Sequence, residues 1–250
     1  MNISITKQLT PKNKTVLITG ASAGIGKAAA VVFAQAGYHL ILTCRSSLPV
    51  LMEFSKEWQA AYGINCLSIQ ADMSCYEDVR KVFAQIRQLD ILVNNAGISY
   101  VGLLQDMEPD DWHRIIGTNL DSCFYTCKLA IPMMLKQHSG KIINISSVWG
   151  NTGASMEVAY SASKGAVNAF TKALAKELAP SNIQVNAIAC GLIDTRMNSC
   201  FTAAETAALR EEIPAGRLGR ADEASDLILK TAEAPDYMTG QVIAIDGGWI

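Results

Sequence analysis

The chain has 250 residues, half of them apolar and 18% charged, with a formal net charge of −2. That size and balance predict one full-size core in a single domain, and they disfavour nucleic acid or an anionic membrane as the main partner. No apolar run approaches the roughly 18 residues of a spanning helix, and the first 14 residues lack the apolar core of a signal peptide.

Seven cysteines stand at 44, 66, 75, 123, 127, 190 and 200. The odd count and irregular spacing fit reduced thiols in the cytoplasm better than a disulfide framework. Cys123 and Cys127 share a helix face, but the three histidines form no ligand cluster with them, so no metal site is expected.

Taken in chain order, TVLITG (15–20) reads as a buried strand and GKAAAVVFAQAG (26–37) as a helix closed by Gly37. The turn between them, TGASAGIG at 19–26, places glycines at 20, 24 and 26. Glycines there let a backbone approach a pyrophosphate, and the helix start supplies amide donors and a positive dipole. The bland alternative is a tight turn that needs φ > 0. Its place at the first strand-to-helix junction favours a dinucleotide.

YHLILTC (38–44) is the second strand, and Arg45 follows it where a ribose-binding carboxylate would otherwise stand. Arg45 is suited to a 2′-phosphate, with Ser22 adding a hydroxyl, so NADP(H) is favoured over NAD(H). A helix (LMEFSKEWQAAY) and a third strand (NCLSIQAD) come next. Asp72, at the end of that strand, has two equal readings: acceptor for an adenine amino group, or helix cap. The third helix is expected over SCYEDVRKVFAQIRQ (74–88), with Ser74 or a neighbour as cap.

DILVNNAG (90–97) is the fourth strand. A long helix is expected from about Pro109 to Gln137, with Asn119 as a polar residue in an apolar stretch. KIINISS (141–147) is a strand ending at Ser147, and a helix spans about 157–178. NIQVNAIA (182–189) and QVIAIDGG (241–248) complete seven strands. Between them lies a small and polar excursion, about 194–220, read as a mobile substrate lid, followed by a last helix (221–234). Continuous apolar strands alternating with helices predict an α/β fold whose parallel sheet is covered on both faces.

Within the helix at 157–178, Tyr160 and Lys164 stand four apart and so share a face. A unit charge at ~4 Å and an effective dielectric of ~20 is worth roughly 4 kcal/mol. That would lower a phenol by up to about three pKa units, which suits general acid–base work. Seen alone, a core tyrosine beside a surface lysine is the simpler explanation. Ser147 and NNAG, at the carboxyl edge of the sheet, and Asn119, a polar residue in an apolar helix, weigh against it.

Together TGASAGIG, NNAG, Asn119, Ser147 and YSASK (160–164) resemble the short-chain dehydrogenase/reductase family along nearly the whole chain. The resemblance implies a single Rossmann-fold domain, residues 1–250, that binds the dinucleotide and carries the chemistry. Tyr160 would be the acid in reduction and the base in oxidation. Lys164 would hold the nicotinamide ribose and lower the tyrosine pKa. Ser147 would bond the substrate oxygen, and Asn119 would anchor a water in the proton relay. Gly20, Ser22, Ile25 and Gly26 would line the pyrophosphate loop. Asn95 and Gly97 would pack beside the adenosine ribose, and Ile193 and Thr195 would position the carboxamide.

The tail segments at 185–197, 213–226 and 238–249 are similar to those of bacterial 3-oxoacyl-acyl-carrier-protein reductases, which implies NADPH-dependent reduction of a 3-oxoacyl thioester on acyl-carrier protein or coenzyme A, and a homotetramer. The alternative is another alcohol or ketone, such as a steroid, sugar or small diketone. Two departures stand out. Cys190-Gly191 replaces the family's frequent Pro-Gly, which would loosen the nicotinamide-side loop and place a thiol by the site. The arginines expected for carrier docking are absent: His138 and Ser181 occupy those places, with Lys136, Lys141 and Arg196 nearby.

Overall fold

The structure, a computed structural model, describes residues 13–199 and 201–250. The reading of the first residues as lacking a signal peptide falls largely outside them, and so does Cys200. The chain alternates strands and helices: β1 (Thr15–Ile18), α1 (Gly24–Gln35), β2 (His39–Cys44), α2 (Leu48–Tyr62), β3 (Cys66–Gln70), α3 (Tyr76–Phe83) and β4 (Ile91–Asn94). There follow α4 (Pro109–Ile116), α5 (Ser122–Gln137), β5 (Gly140–Ser147), α6 (Trp149–Thr152), α7 (Val158–Leu178), β6 (Ile183–Cys190), α8 (Ala203–Glu212), α9 (Ala221–Ala232) and β7 (Val242–Ile245).

The seven strands form one parallel sheet in the order β3-β2-β1-β4-β5-β6-β7. The period of two in a strand sends alternate side chains to opposite faces. Val16 and Ile18 enter the layer built with α1, α2 and α9, around the fully buried Phe33. Leu17, between them, enters the other layer with α3, α5 and α7. Apolar residues are therefore favoured at both sets of strand positions, which explains the largely apolar runs. The strand order reverses at β1, whose neighbours are β2 and β4. A crevice at their carboxyl ends is where such sheets bind ligands.

Three local expectations are corrected. The helix expected over 109–137 is interrupted by a π-turn at Gly117–Asp121, with Asn119 inside it. The third helix is shorter than 74–88 and runs Tyr76–Phe83, because the chain turns at Gln85 and Ile86. Ser74 does not cap it. Its amide and hydroxyl both donate to Asp72 Oδ1, at 2.9 and 2.6 Å. Within the expected lid, Ala203–Glu212 forms α8, started by a Thr202–Glu205 capping box, and Ile213 is buried.

A buried polar chain joins the two helices that flank the site. Thr126 of α5 donates to Asn94 Oδ1 (2.7 Å), Asn94 Nδ2 donates to Asn144 Oδ1 (2.9 Å), and Asn144 Nδ2 donates to Thr171 Oγ1 of α7 (2.9 Å). All four are buried. Buried amides need such partners, so the chain ties α5, β4, β5 and α7 in one register.

Candidate active site

Two adjoining cavities open along the carboxyl edge of the sheet. The first follows β1, β2 and β4. Gly20, Ser22, Ile25, Arg45, Asp72, Asn95, Gly97 and Thr195 all line it. Gly20 and Gly24 have φ of +66° and +54°, conformations that favour glycine. Gly26 does not line the cavity. A Cβ there would fall on Asn95 Nδ2 and the Gly20 carbonyl, so its glycine is needed for close packing beneath the loop.

The loop is held from below by β4. Thr19 Oγ1 accepts from the amides of Asn95 (3.0 Å) and Ala96 (2.9 Å). The Asn95 side chain returns two donors, to the carbonyls of Thr19 (2.8 Å) and Gly20 (3.2 Å). The start of α1 has no side-chain cap and no acid in its first turn. Its amides and dipole are thus left to an anion. Asp72 is held by the two donors of Ser74, although it also faces the cavity.

The second cavity shares Ile25, Asn95, Gly97 and Thr195 with the first and is also lined by Ser147, Tyr160, Lys164 and Ile193. Ser147 ends β5, and its register partner is Cys190 at the end of β6. Tyr160 and Lys164 project from the first turns of α7. Lys164 is buried, and its Nζ donates to the Ile145 carbonyl at 2.8 Å, 5.7 Å from the centre of the Tyr160 ring.

The expected lowering of the phenol pKa is not what this geometry produces. Burial pushes Tyr160 above its ordinary value, a hydrogen bond with Ser147 opposes this, and Cys190 and Glu157 add to the rise. Desolvation also lowers Lys164. Losing water dominates both shifts, and Lys164, its ammonium turned to a backbone carbonyl, is not among the groups that lower the phenol.

Asn119 lines neither cavity. Its Oδ1 accepts from the Ile98 amide (2.8 Å), and its Nδ2 donates to the Ile98 carbonyl (2.9 Å) and Ser163 Oγ (3.0 Å). Both side-chain donors are committed, so the side chain positions the Gly97–Ile98 turn against α7.

The loop after β6 is tied down by hydrogen bonds although it lacks the proline. Gly191 donates to Ile245 (2.9 Å), Asp194 to Gly219 (2.8 Å), and Asn198 Nδ2 to the Ile193 carbonyl (2.6 Å). A Cβ on Gly191 would meet Asp246 at 2.8 Å, so glycine is what lets this turn close. Cys190 does line the second cavity, and burial pushes its thiol up to about 12, an inert form.

With this geometry in view, comparison with known proteins is informative. The short-chain dehydrogenase family model matches residues 14–206. The chain belongs to the short-chain dehydrogenase family. It is 41% identical to an uncharacterized oxidoreductase, YmfI, of Bacillus subtilis, over 95% of this chain and 99% of that one. It is 40% identical to the 3-oxoacyl-acyl-carrier-protein reductase FabG of Thermotoga maritima, covering 96% and 98%. It is 38% identical to the 2-dehydro-3-deoxy-D-gluconate 5-dehydrogenase of Bacillus subtilis, covering 96% and 95%. Among solved structures, a short-chain dehydrogenase/reductase from Mycobacterium marinum superposes with a TM-score of 0.89 at 37% identity, over 97% of each chain. YwfH, an NADPH-dependent reductase of bacilysin biosynthesis, gives 0.90 at 26% identity, over 95% of this chain and 98% of that one.

This short-chain dehydrogenase is therefore an NAD(P)-dependent oxidoreductase acting on CH–OH groups. Its residues fit the dinucleotide: a glycine cradle, an uncapped helix start, and a buried Thr43 Oγ1 without a partner beside the first cavity. No helix among the described residues is long and apolar enough to cross a membrane. Several site residues carried no local signal. Trp149, Glu157 and Trp249 enter the second cavity from a short helix, a helix cap and the chain end. Only Glu157, three residues before Tyr160, could have been noticed from its place in the sequence.

Proposed function

We propose that the protein reduces a 3-oxoacyl thioester to the 3-hydroxyacyl form with NADPH. The observation that carries the chemistry is the convergence of Ser147, Tyr160 and Lys164 on one cavity that adjoins the glycine-lined cleft. When bound, the nicotinamide supplies a hydride to the carbonyl carbon.

The protein's own groups do the rest. Ser147 Oγ, which accepts from the Trp149 amide at 3.2 Å, donates to the carbonyl oxygen and fixes its place. Tyr160 hands its phenolic proton to that oxygen as negative charge develops. The buried ammonium of Lys164, which lines the second cavity, holds the ribose hydroxyls and stabilises the phenolate left behind. A phenol kept high by burial is protonated and ready to give its proton in the direction of reduction.

The thioester reading rests on similarity to several 3-oxoacyl-acyl-carrier-protein reductases at 36–40% identity. For the carrier, Lys141 is already spent: its Nζ bonds the Ala234 carbonyl (2.9 Å) and Asp236 (2.7 Å). Arg196 lines the first cavity. A free coenzyme A thioester is therefore the simpler substrate. NADP(H) is favoured by Arg45, exposed beside Ser22 with no carboxylate at the tip of β2. A homotetramer fits the exposed Phe124 and Leu135 of α5 and the open edge at β7, and light scattering at monomer mass would remove it.

The test is loss of reduced-nicotinamide absorbance with acetoacetyl-CoA. The wild type is expected to turn over, and Tyr160→Phe to lose about 10²–10⁴-fold in kcat. Equal turnover by the two proteins would end this mechanism.

A further inference from the structure

Glu157 stands at the N-cap position of α7, three residues before Tyr160, with no capping hydrogen bond from its side chain; it is half-buried and lines the same cavity as Ser147 and Tyr160. Burial raises its carboxyl above the ordinary value, and the Trp149 side chain beside it opposes that rise. Trp149 packs in turn against Trp249, with ring centres 4.7 Å apart at 60°. Glu157 and Lys164 are the only charged side chains lining this cavity among the described residues. Lys164 sits at its floor and is turned to the Ile145 carbonyl. A substrate carboxylate entering here would meet another carboxylate, and the one cation of the lining is the buried Lys164, already turned to a backbone carbonyl.

We propose that Glu157 is a charge-selecting residue. It excludes ketones that carry a free carboxylate close to the reacting carbonyl and admits those in which that carboxyl is esterified or thioesterified. Two like charges in a half-desolvated pocket are weakly screened, because little water stands between them. An ester or thioester brings no charge. Its alkyl part gains an apolar wall from Trp149 and Trp249, and the rim carboxylate stays beside Trp149. This inference rests on reading the cavity as the ketone site.

The experiment compares acetoacetate with ethyl acetoacetate, which share the reacting ketone and differ in charge. Each is assayed at about pH 8, where an ordinary carboxyl is ionised. Wild-type kcat/KM is expected to favour the ester by roughly thirtyfold or more. Glu157→Gln should shrink that ratio about tenfold, while Glu157→Asp, which keeps the charge, should preserve most of it. A purely structural role for Glu157 would not separate these two variants by substrate charge. A wild-type ratio near one overturns the proposal without any variant, and so does a ratio unchanged in Glu157→Gln. If the wild type reduces neither ketone nor acetoacetyl-CoA, the ketone-site reading itself falls and takes this inference with it.

Discussion

Replacing Asn144 by alanine cuts the middle of the polar chain between α5 and α7. Asn94 Nδ2 then loses its acceptor at 2.9 Å and keeps only a contact with Cys127 Sγ at 3.6 Å. A buried donor left this way costs about 1–3 kcal/mol. Loss of the bond to Thr171 adds about 0.5–1.5 kcal/mol. Thr171 itself stays satisfied as a donor, since its hydroxyl reaches the Val167 carbonyl at 2.8 Å. The two losses together come to about 2–4 kcal/mol, before any cavity effect. For a chain of this size that lowers Tm by about 5–12 °C, read by circular dichroism and by the urea midpoint. A double-mutant cycle with Asn94→Ala should show coupling of at least about 1 kcal/mol, because each single change already breaks the shared bond. A Tm drop below about 1 °C, or additive single effects, would refute the claim that this chain holds the two helices together.

Three further outcomes follow from the same structure. Arg45→Glu should lower kcat/KM for NADPH by about 10–100-fold and leave NADH ahead, since a carboxylate there repels a 2′-phosphate and suits a ribose diol. Steady-state kinetics with both cofactors decide it. Gly26→Ala should cost about 1–3 kcal/mol and weaken nicotinamide-cofactor affinity, because the added methyl must displace Asn95 or the Gly20 carbonyl from under the loop. Thermal shift with and without cofactor measures both. Glu223 accepts from both Arg217 guanidinium nitrogens, at 2.8 and 2.7 Å, and is held at about 2. A lowered carboxyl stabilises the folded state above its unfolded value of about 4.3, and that contribution disappears as pH falls towards about 2. The Tm gap between wild type and Glu223→Gln should thus be constant from about pH 7 to pH 5 and close on further acidification. A gap that widened in acid would have the wrong sign.

By itself the sequence was enough to establish the layer architecture and the main motifs, since these are written in short-range signals. Largely apolar runs marked strands buried on both faces, Gly20, Gly24 and Gly26 marked a turn against a helix start, and Tyr160 and Lys164 marked one helical face. What the tertiary structure decided depends on groups far apart in the chain. The π-turn at Gly117–Asp121 places Asn119 where it grips both backbone groups of Ile98, 21 residues away. The phenol of Tyr160 rises because surrounding elements strip its water, which a calculation from the Lys164 spacing leaves out. Glu157 shares the second cavity with Trp149 and Trp249, which α6 and the C-terminal segment bring to the same place. Local pattern encodes which face a residue takes, whereas desolvation and charge pairing depend on every neighbour that packing supplies.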